Sequence, residues 1–509
     1  MNRRQFLQLA GLGTGAALVG AEVINVLASG DLPVVLQTPA ASDTRDPVWH
    51  VLNRITYGPR PGQVDAVKKV GLQAYLDQQF NPQSINDDAS EQRIGNYITL
   101  DMTGEELYAL GNDSKARIVA ELDSATVMRA VYSQRDLLEV MTGFWSDHFS
   151  IWHLKDDDTF LKTVDDRDVV RKYALGKFRD ILGASAHSPA MLIYLDNAES
   201  IKSHPNENYA RELMELHTTG IGPYTEQDIK EVARCFTGWT IQRPSDSQPY
   251  SFTFNAKFHD DAAKTVLGQT IPAGGGIKDG ETVLDMLAAH PATAQRIATK
   301  LVRRFVADTP PDSLVKAVAQ TYTSSSGDIP TMLRTIFASQ EFLNAPPKYK
   351  RPFEYLVSLA RAFSIDLVPY DNSSGKVKGG IPLYLLKNMG QLPFDHITPD
   401  GYSDDGSSWI SSMLTRWNTA IAVVFGGTPD AKVDLNALVK GQNVEIAPRP
   451  ILDYFAQHLL GRPLTQTESD TLWGFATKNG EPDLTTDAGR LRMRAAIALM
   501  AASPSFQFR

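Results

Sequence analysis

Cysteine is almost missing from this chain: Cys235 is the only one in 509 residues. A single thiol excludes an intramolecular disulfide and any zinc site of cysteine type. In an exported protein it fits folding in a reducing compartment. The surroundings, Val232-Ala-Arg-Cys-Phe-Thr-Gly-Trp239, are apolar and helix-like, so Cys235 reads as a buried small hydrophobe rather than a nucleophile. Clustered positive charge is missing too. Lys and Arg total 50 against 59 Asp and Glu, a formal net charge of -9 with both signs spread along the chain. A phosphate-binding surface needs a basic stripe, which excludes a dedicated nucleic-acid binder. No apolar run reaches the about 20 strongly apolar residues of a membrane span. His-Glu-x-x-His, Gly-x-Ser-x-Gly, a phosphate-cradling glycine loop and Cys-x-x-Cys-His are all absent, and with them the support for several standard enzyme classes. There is no internal repeat, heptad run or low-complexity tail.

What is there begins with an address. Arg3-Arg4, followed by Phe6-Leu7 and the mild Gly/Ala-containing run from Gln8 to Gly20, predicts a twin-arginine export signal over residues 1–28. Val26-Leu27-Ala28 before Ser29 suits cleavage, and Thr38 to Ser42 offers a second site. The twin-arginine translocase would be a partner during export, the mature chain would have no transmembrane segment, and function would be exercised in the periplasm or outside the cell.

From Pro47 onward, apolar residues recur at three- and four-residue spacing among good helix formers. Helices are expected over Gly62 to Phe80, Gln134 to Phe149, Asn206 to Thr218, Glu226 to Phe236, Glu281 to Ala289, Thr293 to Val306, Ser313 to Ser324, Tyr349 to Phe363 and Leu491 to Ala502. Thr225-Glu-Gln-Asp228 has the form of a capping box, and Pro330 fits the first turn of a further helix. Gln248 to Phe254 alternates apolar and polar residues, and Lys264 to Ile271 follows after a charged turn, so a small β-hairpin is expected between two helical halves. The fold class is therefore mainly α: a large multi-helix body with an N-terminal half over 44–240, a hairpin insertion over 241–280 and a C-terminal half over 281–509. An irregular stretch from 368 to 408 interrupts the last of these.

The densest chemistry is His204-Pro-Asn-Glu-Asn-Tyr-Ala-Arg-Glu-Leu-Met-Glu-Leu-His217. At about 100° per residue, Asn208, Glu212 and Glu215 share one stripe flanked by Arg211, while His217 falls in the apolar arc and reads as a core histidine. An Arg211/Glu215 pair on a solvated face is the plain explanation. In a cleft, the two carboxylates could not both ionise cheaply, and one would be pushed towards acid duty; they could also bind a hard cation. His148, within Phe144-Trp-Ser-Asp-His-Phe149, could frame a ligand or belong to the core. His259 and Asp260 place an imidazole beside a carboxylate, and Asp400, Asp404 and Asp405, interleaved with glycines, form a turn that could also hold calcium.

These segments resemble a bacterial family, the domain-of-unknown-function 1800 family (DUF1800). The likeness lies in His187-Ser-Pro-Ala-Met191, Leu195-Asp-Asn197, Pro205 to Leu216, Tyr224 to Asp228, Thr237-Gly-Trp239, Phe258-His-Asp260, Pro399-Asp-Gly-Tyr402, Trp409 and Leu414-Thr-Arg416. The resemblance implies an exported, largely helical protein of no established activity. It also implies an exported partner of sulfatase-like fold, because members are often encoded beside one. Members commonly carry a histidine where this chain has Ser146, and phenylalanine where it has His217.

Three functions are open at this level. The first is an acid/base hydrolase of an envelope or extracellular polymer such as a glycan, with Glu212, Glu215 and His148 catalytic and Glu207, Asn208, Arg211, His259, Asp260 and Asp400 as substrate or cation contacts. The second is a metal- or cofactor-dependent redox protein loaded before export, for which a divalent cation such as Mn, Fe or Ca suits the oxygen ligands. The third is a non-catalytic binding or assembly factor of the cell envelope.

Overall fold

Capping chemistry sets the helix boundaries in the computed structural model, which describes residues 45–243, 245–246, 249–372, 378–425, 431–432, 435–442 and 444–509. The export signal and both cleavage sites lie outside the described residues, as do Gln248 and 373–377 of the irregular stretch. Thr225 and Asp228 form the expected capping box, each side chain bonding the other's backbone N–H, and Glu226–Cys235 follows. Pro330 stands in the first turn of Ile329–Phe337. The Gly62 to Phe80 window is two helices rather than one, Gln63–Val70 and Leu72–Gln79. Gly71 separates them at φ 90°, a conformation that costs glycine little. Tyr349 stays outside its expected helix, which runs Pro352–Ala362, because its backbone bridges Phe508 instead.

The protein is mainly α, with short antiparallel strand pairs. A small inserted hairpin is present, but it forms within the second expected strand, Lys264–Val266 with Gln269–Ile271, rather than between Gln248 to Phe254 and Lys264 to Ile271. Phe252–Phe254 takes a different partner, pairing back to Trp239–Ile241. A third pair joins Asp366–Leu367 to Ala431–Lys432. No helix among the described residues is long and apolar enough to cross a membrane.

One apolar core runs from Val51 to Phe506 and includes Trp145, Phe178, Tyr209, Trp239, Phe305 and Tyr355. Cys235 is fully buried in it, and burial pushes its thiol up to about 12, so the small-hydrophobe reading holds. His217 is buried too, against Phe149 and His148.

Inside this core sits an ionic hub. Glu354 accepts from Arg304 and lies 3.2 Å from Arg509 and 3.5 Å from Arg351, all four side chains being almost inaccessible to water. Lys348 to Lys350 pairs with Gln507 to Arg509, which places the Arg509 guanidinium here. Burial would raise the Glu354 carboxyl, but Arg509, Arg304 and Arg351 outweigh it and hold the group well below the usual carboxylate range. Asp404 is treated alike: against burial, Arg351, Arg304 and Lys348 hold it down to about 2.

Two outcomes are expected. Glu354→Gln leaves three guanidiniums short of their anion and should cost ~3–5 kcal/mol in urea unfolding, the range for breaking a buried pair from one side. Because Asp404 titrates lower folded than unfolded, its contribution is complete above about pH 4 and lost as pH falls towards 2. Asp404→Asn should therefore flatten the acid limb of a stability profile and leave its neutral and alkaline shape unchanged.

Candidate functional site

Lys300 is the residue around which a site assembles. It projects from Pro291–Phe305, and its Nζ lies 2.8 Å from His148 Nδ1. His148 ends the Asp136–His148 helix, and its Nε2–H donates to the His217 carbonyl at 3.0 Å, which leaves the Nδ1 lone pair to accept from Lys300. Burial, then the charge of Lys300, holds the imidazole well below the ordinary histidine range, so the ring is neutral. Phe144, Trp145, Phe149 and Phe178 surround it. Lys300 itself is pulled down to about 8, first by burial and next by Arg296, against the attraction of Asp404 and Asp147.

Lys300 lines a cavity of about 360 Å³ together with Asp147, Arg303, Asp308, Asp400, Tyr402 and Asp404. The carboxylates differ in their freedom. Asp147 pairs with Arg351 at 2.6 Å, Asp404 belongs to the hub, and Asp308 is paired with Lys348. Asp400 accepts from Thr398 and His396 and is exposed. The Pro399-Asp-Gly-Tyr402 turn is pressed onto the end of the Asp136–His148 helix at Gly401. A Cβ there would lie 2.0 Å from the Asp147 carbonyl oxygen, and φ is 72°. Only glycine fits both demands.

The sequence-predicted residues divide among three places. His148 supports the Lys300 cavity, and Asp400 is in its wall. Glu212 is half-buried and accepts no hydrogen bond from the described residues; burial, then Glu215, and more weakly Asp400, raise its carboxyl above the usual range. Glu212 is not itself in the cavity wall, and Asp400 is the lining carboxylate whose charge it feels. Glu215 is closed off: Tyr224 donates to it at 2.5 Å and Arg211 lies 3.6 Å away, while Arg211 also grips Glu226 with both terminal nitrogens. Glu207 is exposed. Asn208 donates to the Leu195 carbonyl at 3.4 Å, beside the Asn206 cap, so these amides tie the helix start to the Leu195-Asp-Asn197 segment. His259 and Asp260 stand in a separate network: His259 bonds Asp279 and the Thr237 carbonyl, and Asp260 pairs with Arg234. Asp404 and Asp405 do not join Asp400 as cation ligands, since Asp405 caps Ser407. Among the described residues, no three His, Cys, Asp or Glu side chains converge to hold a metal ion.

Lys300 and Arg351 were invisible to sequence reasoning, because an isolated cation in an amphipathic helix carries no motif. Asp147 could have been found, lying in the same aromatic block as His148. The helix bearing Glu212 also widens into a π-turn over Leu213–His217, which brings the His217 carbonyl to His148; such bulges are frequent at functional sites.

Residues 50–508 match the family described as a protein of unknown function, DUF1800. The chain belongs to that family. No curated protein and no solved structure matches it. Of the segments by which the chain resembles DUF1800 members, the Pro399 to Tyr402 turn lines this cavity, whereas Phe258-His-Asp260 stands in the separate network with Asp279 and Arg234.

Gly401→Ala should lower stability by about 2 kcal/mol or more in thermal or urea unfolding, since both strain and a backbone collision result. Gly474→Ala, inside the helix Gln466–Thr477 with nothing within 4 Å of the added carbon, serves as the control and should not lower stability.

Proposed function

We propose that this DUF1800 protein is an exported acid/base hydrolase acting on an envelope or extracellular polymer, with its chemistry at the Lys300 cavity. The observation that supports this is a half-buried lysine, drawn down to about 8, facing a polar cavity while a neutral histidine accepts its proton from behind. Glu212 supplies the complementary group, an unpaired carboxylate with a raised affinity for protons. Near neutral pH the ammonium of Lys300 donates a proton to the leaving oxygen, and the Glu212 carboxylate removes one from the attacking water. The bond to the leaving group breaks as the water oxygen bonds to the other fragment, and both groups then return to their starting state by exchange with solvent. A lysine drawn down and a carboxylate drawn up, each towards neutrality, suit this division of labour. His148 positions the Lys300 ammonium, and Asp400, with hydroxyl-bearing Tyr402 and Ser403, suits a polyhydroxylated chain such as a glycan. Periplasmic or extracellular location rests on the twin-arginine signal.

Lys300→Met and Glu212→Gln should each lower the release of reducing ends from envelope polysaccharide by ~100-fold or more, with unfolding curves unchanged. The parent's rate should fall as pH rises through about 8, where Lys300 loses its proton, and fall again in acid as Glu212 gains one. Full activity in either variant would dismiss the proposal.

A second reading rests on a different observation. Ile410, Leu414 and Trp417 form an exposed apolar stripe at helical spacing, 59%, 47% and 36% accessible. A binding or assembly factor would use that stripe to hold a partner, and the co-encoded exported protein of sulfatase-like fold is the proposed one. Leu414→Asp should then abolish co-purification with that protein and leave polymer hydrolysis unaffected.

A further inference from the structure

On the far side of Asp147 and Tyr402 lies a second, smaller cavity of about 60 Å³. One stripe of the Asp136–His148 helix forms its inner wall, with Glu139, Thr142, Ser146 and Asp147 at helical spacing. The opposite wall is the π-helical turn Asp166–Arg171. Arg171 is spent: both of its bonds to Glu139, at 2.9 and 3.0 Å, and its bond to Asp166 Oδ2 at 2.8 Å are internal.

Among the described residues, three buried oxygens in this lining have no hydrogen-bond partner: Asp166 Oδ1, Thr142 Oγ1 and Ser146 Oγ. Asp166 is 2% and Thr142 3% exposed, and an unsatisfied group that deep is costly unless something fills the need. The charges do not cancel either. Glu139 and Asp166 carry two negative charges against the one positive charge of Arg171, and Asp147 is already neutralised by Arg351. Tyr57, Phe353 and Phe394 add ring surfaces. The ring of Phe394 already accepts the Lys162 ammonium at 5.1 Å from its centroid.

We infer that this cavity binds the protonated primary amine of a ligand. An ammonium carries one positive charge and three donors, which matches one excess negative charge and three free acceptors. Aromatic walls favour it further. A divalent metal asks for six or more oxygens and several anionic ones, whereas a single carboxylate oxygen is free here. A neutral hydroxyl would leave the charge unbalanced. The amine could be borne by an amino sugar or by an alkylamine side chain. The inference concerns a separate cavity and holds whether or not Lys300 transfers a proton.

Titration calorimetry on the full chain tests it, with glucosamine and cadaverine as the two amine probes and glucose, N-acetylglucosamine and potassium chloride as controls. Glucosamine binding without cadaverine binding identifies an amino sugar; the reverse identifies an alkylamine. Either is expected at about millimolar Kd, with no heat from the controls. Asp166→Asn should weaken binding at least about tenfold by removing the charge, and Thr142→Val should weaken it while preserving shape. If Asp166→Asn fails to fold, Thr142→Val decides, since it touches neither ion pair. Lys300→Met should bind the amine as the parent does, which separates this result from that of the hydrolase proposal. Silence from both amines, equal binding of glucose or potassium, or unchanged affinity in Thr142→Val would overturn the inference.

Discussion

Four side chains that meet at Glu354 hold the two ends of the described chain and its central helices in one arrangement. Arg304 comes from the helix that carries Lys300, Arg351 from the start of the helix that carries Glu354, and Arg509 from the segment paired with Lys348 to Lys350. A buried ion cluster of this kind is weak evidence for net stability, since desolvating four charges is costly. Its value here is geometric. Arg351 reaches past Glu354 to Asp147, and Arg304 reaches Asp404, so two of the carboxylates in the cavity wall are tied to the same anion. Lys300 in turn feels Asp147 and Asp404. The proton affinity of the lysine is thus set partly from the core.

The two cavities share Asp147 and Tyr402 and have related constructions. Each is bordered by a helix that widens to a π-turn, over Leu213–His217 near the larger and Asp166–Arg171 beside the smaller. A π-turn shifts a carbonyl and the side chains after it out of α-helical register. The first lets His217 present its backbone oxygen to His148. The second lets Arg171 reach back to Asp166 while also spanning to Glu139.

Much of the architecture was legible in the sequence because it rests on local signals. The Thr225/Asp228 box, Pro330 in the first turn of its helix and the apolar spacing of Pro291–Phe305 each act within a few residues. The pairing of Phe252–Phe254 was not legible, since alternation shows that a strand exists and not which partner it takes. The acidic stripe was half readable. The helical wheel put Glu212 beside Glu215 and Arg211 within reach of Glu215, but only tertiary structure brings Tyr224 onto Glu215 and leaves Glu212 open. Lys300 was out of reach because its chemistry comes from His148, 152 residues away in sequence.

That same distance scale bears on how the molecule is made. Arg509 donates to the Arg54 carbonyl across 455 positions and to the Arg304 carbonyl across 205. Closing loops of that length is entropically expensive before any contact rewards it. Without its last residue, Glu354 would keep only Arg304 and Arg351 as guanidinium partners. The core cluster is thus completed by a residue 455 positions from the carbonyl it also holds at Arg54, so closing the core depends on segments far apart in sequence.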